Sequence, residues 1–208
     1  MYCLSVGNMD FESIKYEIRM FDIAEIRLDM CRLSTEQVRY LFGIHKNLIA
    51  TFKKTENFPD SYRKKVLKTA ISSGAAWIDL DFEHDQIFFS KEFLHFIKKH
   101  NTRLIISFHD FNKTPDNEFI YKKIGEIENL KPDIIKLAFF ANDEKDNERV
   151  LDMYSKYEGI LAFNMGEMGK ATRVRSLMLG APFTYVRSDK SQTAPGQMTI
   201  NEMMQYSQ

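Results

Sequence analysis

A lysine set inside an apolar strand is the residue in this chain with the most chemistry to offer. It is Lys136, in the run Asp133-Ile134-Ile135-Lys136-Leu137-Ala138-Phe139-Phe140. The run is short, apolar and rich in β-branched and aromatic residues. Lys131-Pro132-Asp133 bounds it upstream, so it reads as a buried strand. Alternate residues of a strand face opposite ways, which puts Ile134, Lys136 and Ala138 on one side and Ile135, Leu137 and Phe139 on the other. In a parallel barrel the bulky apolar set packs against helices and Lys136 points at the axis. A lysine near a strand end can also snorkel to water. Desolvated inside a barrel, its amine is a nucleophile for a ketone.

Other polar residues gather at the ends of strand-like segments: Glu25-Ile26-Arg27-Leu28-Asp29, Thr51-Phe52-Lys53, Asp79-Leu80-Asp81 and Ser107-Phe108-His109-Asp110. Two more groups follow later strands, Asn164 to Arg173 and Thr193-Ala194-Pro195-Gly196-Gln197. Singly, each has a plain explanation as the wet face of an edge strand, a loop histidine or a helix cap, since most polar residues are surface residues. Together they form a working set: an amine, an imidazole, carboxylates to orient it and arginines for an anionic substrate.

The elements that must position this set alternate along the whole chain. Strands are predicted at Tyr2–Val6, Ala24–Asp29, Asn47–Phe52, Trp77–Phe82, Arg103–Phe108, Ile134–Phe139, Gly159–Asn164 and Phe183–Arg187. Helices are predicted near Met9–Met20, from a Ser34 cap through Leu41, and at Pro59–Ser73, Ser90–His100, Asp116–Leu130, Asp143–Tyr157, Gly169–Leu179 and Met198–Tyr206. Pro59 suits a first helical turn. Eight strand–helix units argue for parallel strands closed into a compact single-domain (β/α)8 barrel, with its chemistry at the C-terminal strand ends. An open doubly wound sheet is the alternative, but no Gly-x-Gly-x-x-Gly follows the first strand. The short stretch before strand one leaves little to close the barrel bottom.

Composition narrows the function classes. The chain has 208 residues, 44% hydrophobic and 28% charged, with 29 basic and 29 acidic side chains. Such a balance offers no basic excess for nucleic acid or an anionic membrane. No apolar run is long enough to span a bilayer, and the N-terminus lacks the pattern of a signal peptide. Cys3 and Cys31 have no metal-ligand spacing, so reduced thiols in a cytoplasmic protein are expected.

The chain resembles type I 3-dehydroquinate dehydratase. The resemblance rests on Glu25-x-Arg27-x-Asp29, Ser107-Phe108-His109-Asp110-Phe111, Ile135-Lys136-Leu137-Ala138, Met165-Gly166-x-x-Gly169-x-x-x-Arg173 and Ala194-Pro195-Gly196-Gln197, in the family's order. It implies a (β/α)8 hydro-lyase of the shikimate pathway that converts 3-dehydroquinate to 3-dehydroshikimate without metal or cofactor. By position Lys136 matches the Schiff-base lysine and His109 the acid/base histidine. Glu25, Arg27 and Ser5 match substrate contacts, Arg173 the arginine that holds the substrate carboxylate, and Gln197 a closing-loop residue. A homodimer is implied too. With Arg27 and Arg173 nearby, repulsion is expected to keep more of Lys136 as free amine.

Three positions depart from the family. The carboxylate that orients the histidine is usually glutamate and here is Asp81. Strand three usually ends in arginine and here ends in Lys53, which keeps the charge and loses the fork. Thr193 stands where serine is common. Thr55-Glu56-Asn57-Phe58 also replaces a Glu-Gly-Gly segment. Somewhat weaker substrate binding with unchanged chemistry is expected, and Ser188–Gln197 is expected to close over the site. The rival readings are a Schiff-base aldolase on the same barrel and a relative that only binds a small acid.

Overall fold

The strands carry apolar residues on both faces, and a sheet buried on both faces must be covered by helices. In the computed structural model, which describes residues 1–206, eight parallel strands alternate with eight helices. The strands are β1 (Tyr2–Val6), β2 (Ile23–Arg27), β3 (Leu48–Thr51), β4 (Trp77–Asp81), β5 (Arg103–Asp110), β6 (Ile134–Phe140), β7 (Ile160–Met165) and β8 (Thr184–Arg187). The helices are α1 (Phe11–Glu17), α2 (Thr35–Ile44), α3 (Asp60–Ser72), α4 (Lys91–Lys99), α5 (Asn117–Glu128), α6 (Glu144–Leu151), α7 (Lys170–Met178) and α8 (Ile200–Gln205). Neighbouring strands pair in the order β7-β6-β5-β4-β3-β2-β1-β8, the sequence of a (β/α)8 barrel. At the seam between β7 and β8, the Phe163 and Tyr185 rings meet edge-on at 6.2 Å.

Side chains at six of the eight helix starts explain why those helices begin there. Asp10, Ser34, Ser90, Asp116, Asp143 and Thr199 each accept a hydrogen bond from a first-turn amide, satisfying an amide that the helix itself cannot. Pro59 lies one residue outside its predicted place, as the cap of α3. The region after β6 holds a shorter α-helix than predicted, followed by a 3-10 turn over Asp152–Ser155. No helix among the described residues is long and apolar enough to cross a membrane.

Two apolar populations build the core. One lies between the strands and the helices and includes Leu4, Ile26, Leu80, Ile106 and Leu137. The other fills the barrel and includes Ile23, Ile49, Trp77, Ile105 and Ile134. Trp77 begins β4 on the inward face that also carries Asp79 and Asp81. Its indole Nε1 donates to Asn47 Oδ1 at 3.2 Å, and the Arg103 guanidinium stacks 3.6 Å from the ring centroid. At the barrel bottom a tryptophan therefore lies under an arginine. Strand β5 runs two residues further than predicted, because Asp110 still pairs with Phe139 of β6. That extension holds His109 in the ladder instead of a loop.

Replacing Trp77 with alanine leaves a cavity at the barrel bottom and strands Arg103 without its stack. A loss of about 3–5 kcal/mol is expected, read as a lower urea midpoint with an unchanged slope. The active-site end lies at the other end of the strands, so residual activity in the folded fraction should persist.

Candidate active site

All ten sequence-predicted site residues border one cavity of about 310 Å³: Lys136, His109, Asp81, Glu25, Arg27, Lys53, Arg173, Thr193, Gln197 and Ser5. It opens at the C-terminal ends of the strands. Strand register brings the reactive groups together. Ser107 of β5 pairs with Lys136 of β6, and His109 pairs with Ala138 one inward step higher. Thr51 of β3 pairs with Asp79 of β4.

Lys136 is 6% exposed. Its Nζ donates to Asp79 Oδ2 at 2.9 Å and lies 3.8 Å from Glu25 Oε1. It also stands 4.2 Å over the Tyr185 ring centroid. This corrects the expectation that arginines act on the amine. Arg27 is held in a two-bond pair with Asp29, at 3.0 and 2.7 Å. The charges in contact with Lys136 are carboxylates, Asp79 and Glu25.

Asp79 is the charged residue that sequence reasoning passed over. Its Oδ1 accepts from Lys53 Nζ at 2.9 Å and from Ser107 Oγ at 2.6 Å. One carboxylate thus bridges two ammonium groups, one per oxygen. Burial by itself would push the Asp79 carboxyl up. Lys136, Lys53 and His109 outweigh it and hold the group far below the ordinary carboxylate range. The signal was present in the sequence, since Asp79 shares the inward face of β4 with Asp81.

His109 Nδ1 lies 3.2 Å from Asp81 Oδ2. Burial first, and then the Lys53 and Lys136 charges, pull the imidazole down to about 4 against the support of Asp81. The ring is therefore neutral at neutral pH. With Nδ1–H donated to Asp81, its Nε2 is left as an acceptor. Asp81 itself sits well below the usual carboxylate range: burial opposes this, but the His109 hydrogen bond and the Lys53 charge prevail. Its other oxygen accepts from the Glu83 and His84 amides and lies 2.8 Å from His84 Nδ1. Backbone donors thus fix the shorter aspartate. His84 was not foreseen; three residues past Asp81, it reaches back across the turn to the same carboxylate.

Glu25 is tied down by Ser5 Oγ at 2.6 Å and Thr51 Oγ1 at 2.8 Å. Thr193 Oγ1 lies 2.7 Å from Ser5 Oγ and 2.9 Å from Gln197 Oε1. Arg27 donates to the Thr193 carbonyl at 3.3 Å. The loop after β8 is thereby fastened over β1 and β2. Two glycines let the β7 and β8 loops touch. A Cβ on Gly196, whose φ is +68°, would lie 2.5 Å from the Gly166 carbonyl oxygen.

Arg173 enters from α7 and is 1% exposed. Its guanidinium stacks 4.3 Å from the Phe163 centroid, and its Nη2 makes one long bond of 3.5 Å to the Pro195 carbonyl. Nε has no partner, and no carboxylate pairs with this arginine among the described residues. Burial lowers it to about 10. A buried, unpaired cation is costly unless an anion joins it.

Similarity to known proteins identifies the family and the fold. A sequence model of the family described as Type I 3-dehydroquinase matches residues 2–208. The 3-dehydroquinate dehydratase of Methanococcus vannielii is 33% identical over 213 residues, covering 98% of this chain and 96% of that one. That of Thermococcus gammatolerans is 31% identical over 189 residues, covering 88% and 85%. In fold, the chain superposes on the type I 3-dehydroquinate dehydratase of Clostridium difficile with a TM-score of 0.82 at 24% identity, covering 99% of this chain and 89% of the other. With a family match over nearly its whole length and relatives above 30% identity, this chain belongs to the type I 3-dehydroquinases.

Proposed function

We propose that Lys136 forms a Schiff base with the C3 ketone of 3-dehydroquinate and that His109 moves the protons. The overall reaction is the family's, dehydration of 3-dehydroquinate to 3-dehydroshikimate in the shikimate pathway, a hydro-lyase reaction. One observation carries the residue assignment. A lysine amine and a buried arginine lacking any carboxylate border the same cavity, as a substrate with both a ketone and a carboxylate requires.

Arg173 takes the substrate carboxylate, because guanidinium is a fixed, permanently charged fork. Nζ of Lys136 gives one proton to His109 Nε2 and attacks C3; the carbonyl oxygen takes one proton from the attacking nitrogen and one back from His109 and departs as water, leaving an iminium. His109 Nε2 takes the C2 proton while the C–H electron pair flows into the iminium to give an enamine. The enamine returns its electrons and expels the C1 hydroxyl, which leaves as water with the proton from His109. Hydrolysis of the conjugated iminium consumes one water and frees Lys136. Two waters leave and one enters, so the net change is loss of one water. Asp81 holds the Nδ1–H tautomer of His109. Glu25, Arg27, Lys53, Ser5, Thr193 and Gln197 shape the rest of the substrate cavity.

Borohydride reduction during turnover should leave a stable adduct on Lys136, located by intact mass and peptide mapping. Lys136→Ala should give neither adduct nor product. His109→Ala should lower kcat roughly 10²–10⁴-fold. Product without an adduct would overturn the lysine assignment. Absence of both, in a folded protein that still binds 3-dehydroquinate, would favour the binding-only reading.

The acid limb of kcat/KM reports the free enzyme's base, so it should fall near pH 4 and not near 6.5. Lys53 is the largest charge contribution to that lowering. Lys53→Met removes it, so the His109 imidazole rises toward its ordinary value and the acid limb moves to higher pH. A limb that stays in place in Lys53→Met would show that Lys53 does not set the base.

A further inference from the structure

We infer that the hydroxyl of Tyr185 binds the reacting oxygen of the substrate, making it a catalytic residue beside Lys136 and His109. The inference rests on the Schiff-base reading above. Tyr185 is 3% exposed, lies on the inward face of β8 and borders the cavity. Its ring supports the Lys136 amine, with Nζ 4.2 Å from the centroid. Its hydroxyl oxygen is fully buried and has no hydrogen-bond partner. Tyr154 shows the ordinary behaviour in the same protein: its hydroxyl donates to the Ala162 carbonyl and accepts from the Ala162 amide, both at 2.8 Å. A buried hydroxyl without a partner costs about 1–3 kcal/mol. Phenylalanine would fill the same space, pack on Phe163 and Phe183 in the same way, and avoid that cost. The oxygen therefore asks for a partner that arrives with the ligand.

The chemistry names the partner. A carbon bonded to Lys136 Nζ must sit beside the ring that carries this hydroxyl. When Nζ forms its bond to C3, the carbonyl π pair moves onto oxygen. That oxygen gains a proton from the attacking nitrogen and a second from protonated His109, and leaves as water. A neutral phenol donating to it stabilises the developing negative charge and keeps its own proton throughout.

The test is Tyr185→Phe in the full chain, compared with wild type in two measurements. One is the melting temperature without ligand; the other is the rate at which borohydride-trappable adduct appears in a single turnover of 3-dehydroquinate. The inference expects an unchanged or higher melting temperature together with adduct formation slowed at least about tenfold, the worth of one hydrogen bond made in the transition state. A lower melting temperature would overturn it, since the hydroxyl would then have a structural partner. Equal trapping rates in both proteins would overturn it as well. Absence of adduct in the wild type would instead bring down the Schiff-base reading on which it rests, an outcome distinct from equal rates.

Discussion

A carboxylate with an ammonium on each oxygen is the constraint around which the upper half of this barrel is arranged. Asp79 reaches Lys136 and Lys53, both at 2.9 Å, from a strand lying between theirs. None of the three could stay buried alone, because an isolated charge in an apolar interior costs far more than a fold of this size can spare. The bridge therefore ties β3, β4 and β6 to one register, and Ser107 on β5 fills the remaining acceptor site. Breaking it by removing one partner would leave an uncompensated charge at the centre of the protein. The arrangement also suits the proposed chemistry. An iminium on Lys136 places positive charge on the same nitrogen, beside Asp79 and Glu25.

Along the barrel axis, the inward residues change from apolar to charged within a few steps of each strand. On β4 the order is Trp77, Asp79, Asp81; on β5 it is Ile105, Ser107, His109; on β2 it is Ile23, Glu25, Arg27. Apolar packing at the bottom supplies the stability that lets the top hold so many titratable groups. Burial then acts on those groups in opposite senses. It pushes the carboxyls up, where the ammonium groups overrule it, and pulls His109 down, where the same ammonium groups assist it. The two lysines thus keep Asp79 ionised and His109 neutral, while the His109 hydrogen bond and Lys53 keep Asp81 ionised. For stability both effects have the same sign, a loss as pH falls, but in different pH windows. Protonation of His109 in the unfolded chain begins near 6.5, while the folded imidazole resists it down to about 4, so folding weakens as pH falls between those values. The contributions of Asp79 and Asp81 disappear only at still lower pH.

Alternation within strands makes the barrel and the inward face of Lys136 legible in the sequence. The polar strand ends and the family motifs picked out ten residues that all border the cavity. What strand periodicity could not supply was the pairing between strands. Whether Lys136 meets arginines or carboxylates depends on register and barrel closure, and the arginines proved to be engaged elsewhere, Arg27 with Asp29 and Arg173 with the Phe163 ring. Asp79 was in plain view on the correct face but resembled a helix-capping residue. His84 lies just past a strand end, where only the turn geometry turns its ring back to Asp81. Tyr185 lies inside the predicted strand Phe183–Arg187 with nothing in the sequence to single it out, and only the lack of a partner for its oxygen distinguishes it.

Lys53 shows why a departure from a family pattern must be read in place. Lysine at the end of β3 lacks the bidentate reach of arginine, which suggests a poorer grip on substrate. Yet an ammonium has three donors, and here two are already committed, to Asp79 and to Ser107 at 2.8 Å. The third faces Asp81 at 3.7 Å. A compact point charge serves three acceptors on two adjacent strands in a way that a planar fork would not. The residue is therefore better understood through what it does to its neighbours, fixing Asp79 and lowering His109, than as a weakened substrate ligand. On this view any loss of substrate affinity is secondary to the charge that Lys53 places beside Asp79 and His109.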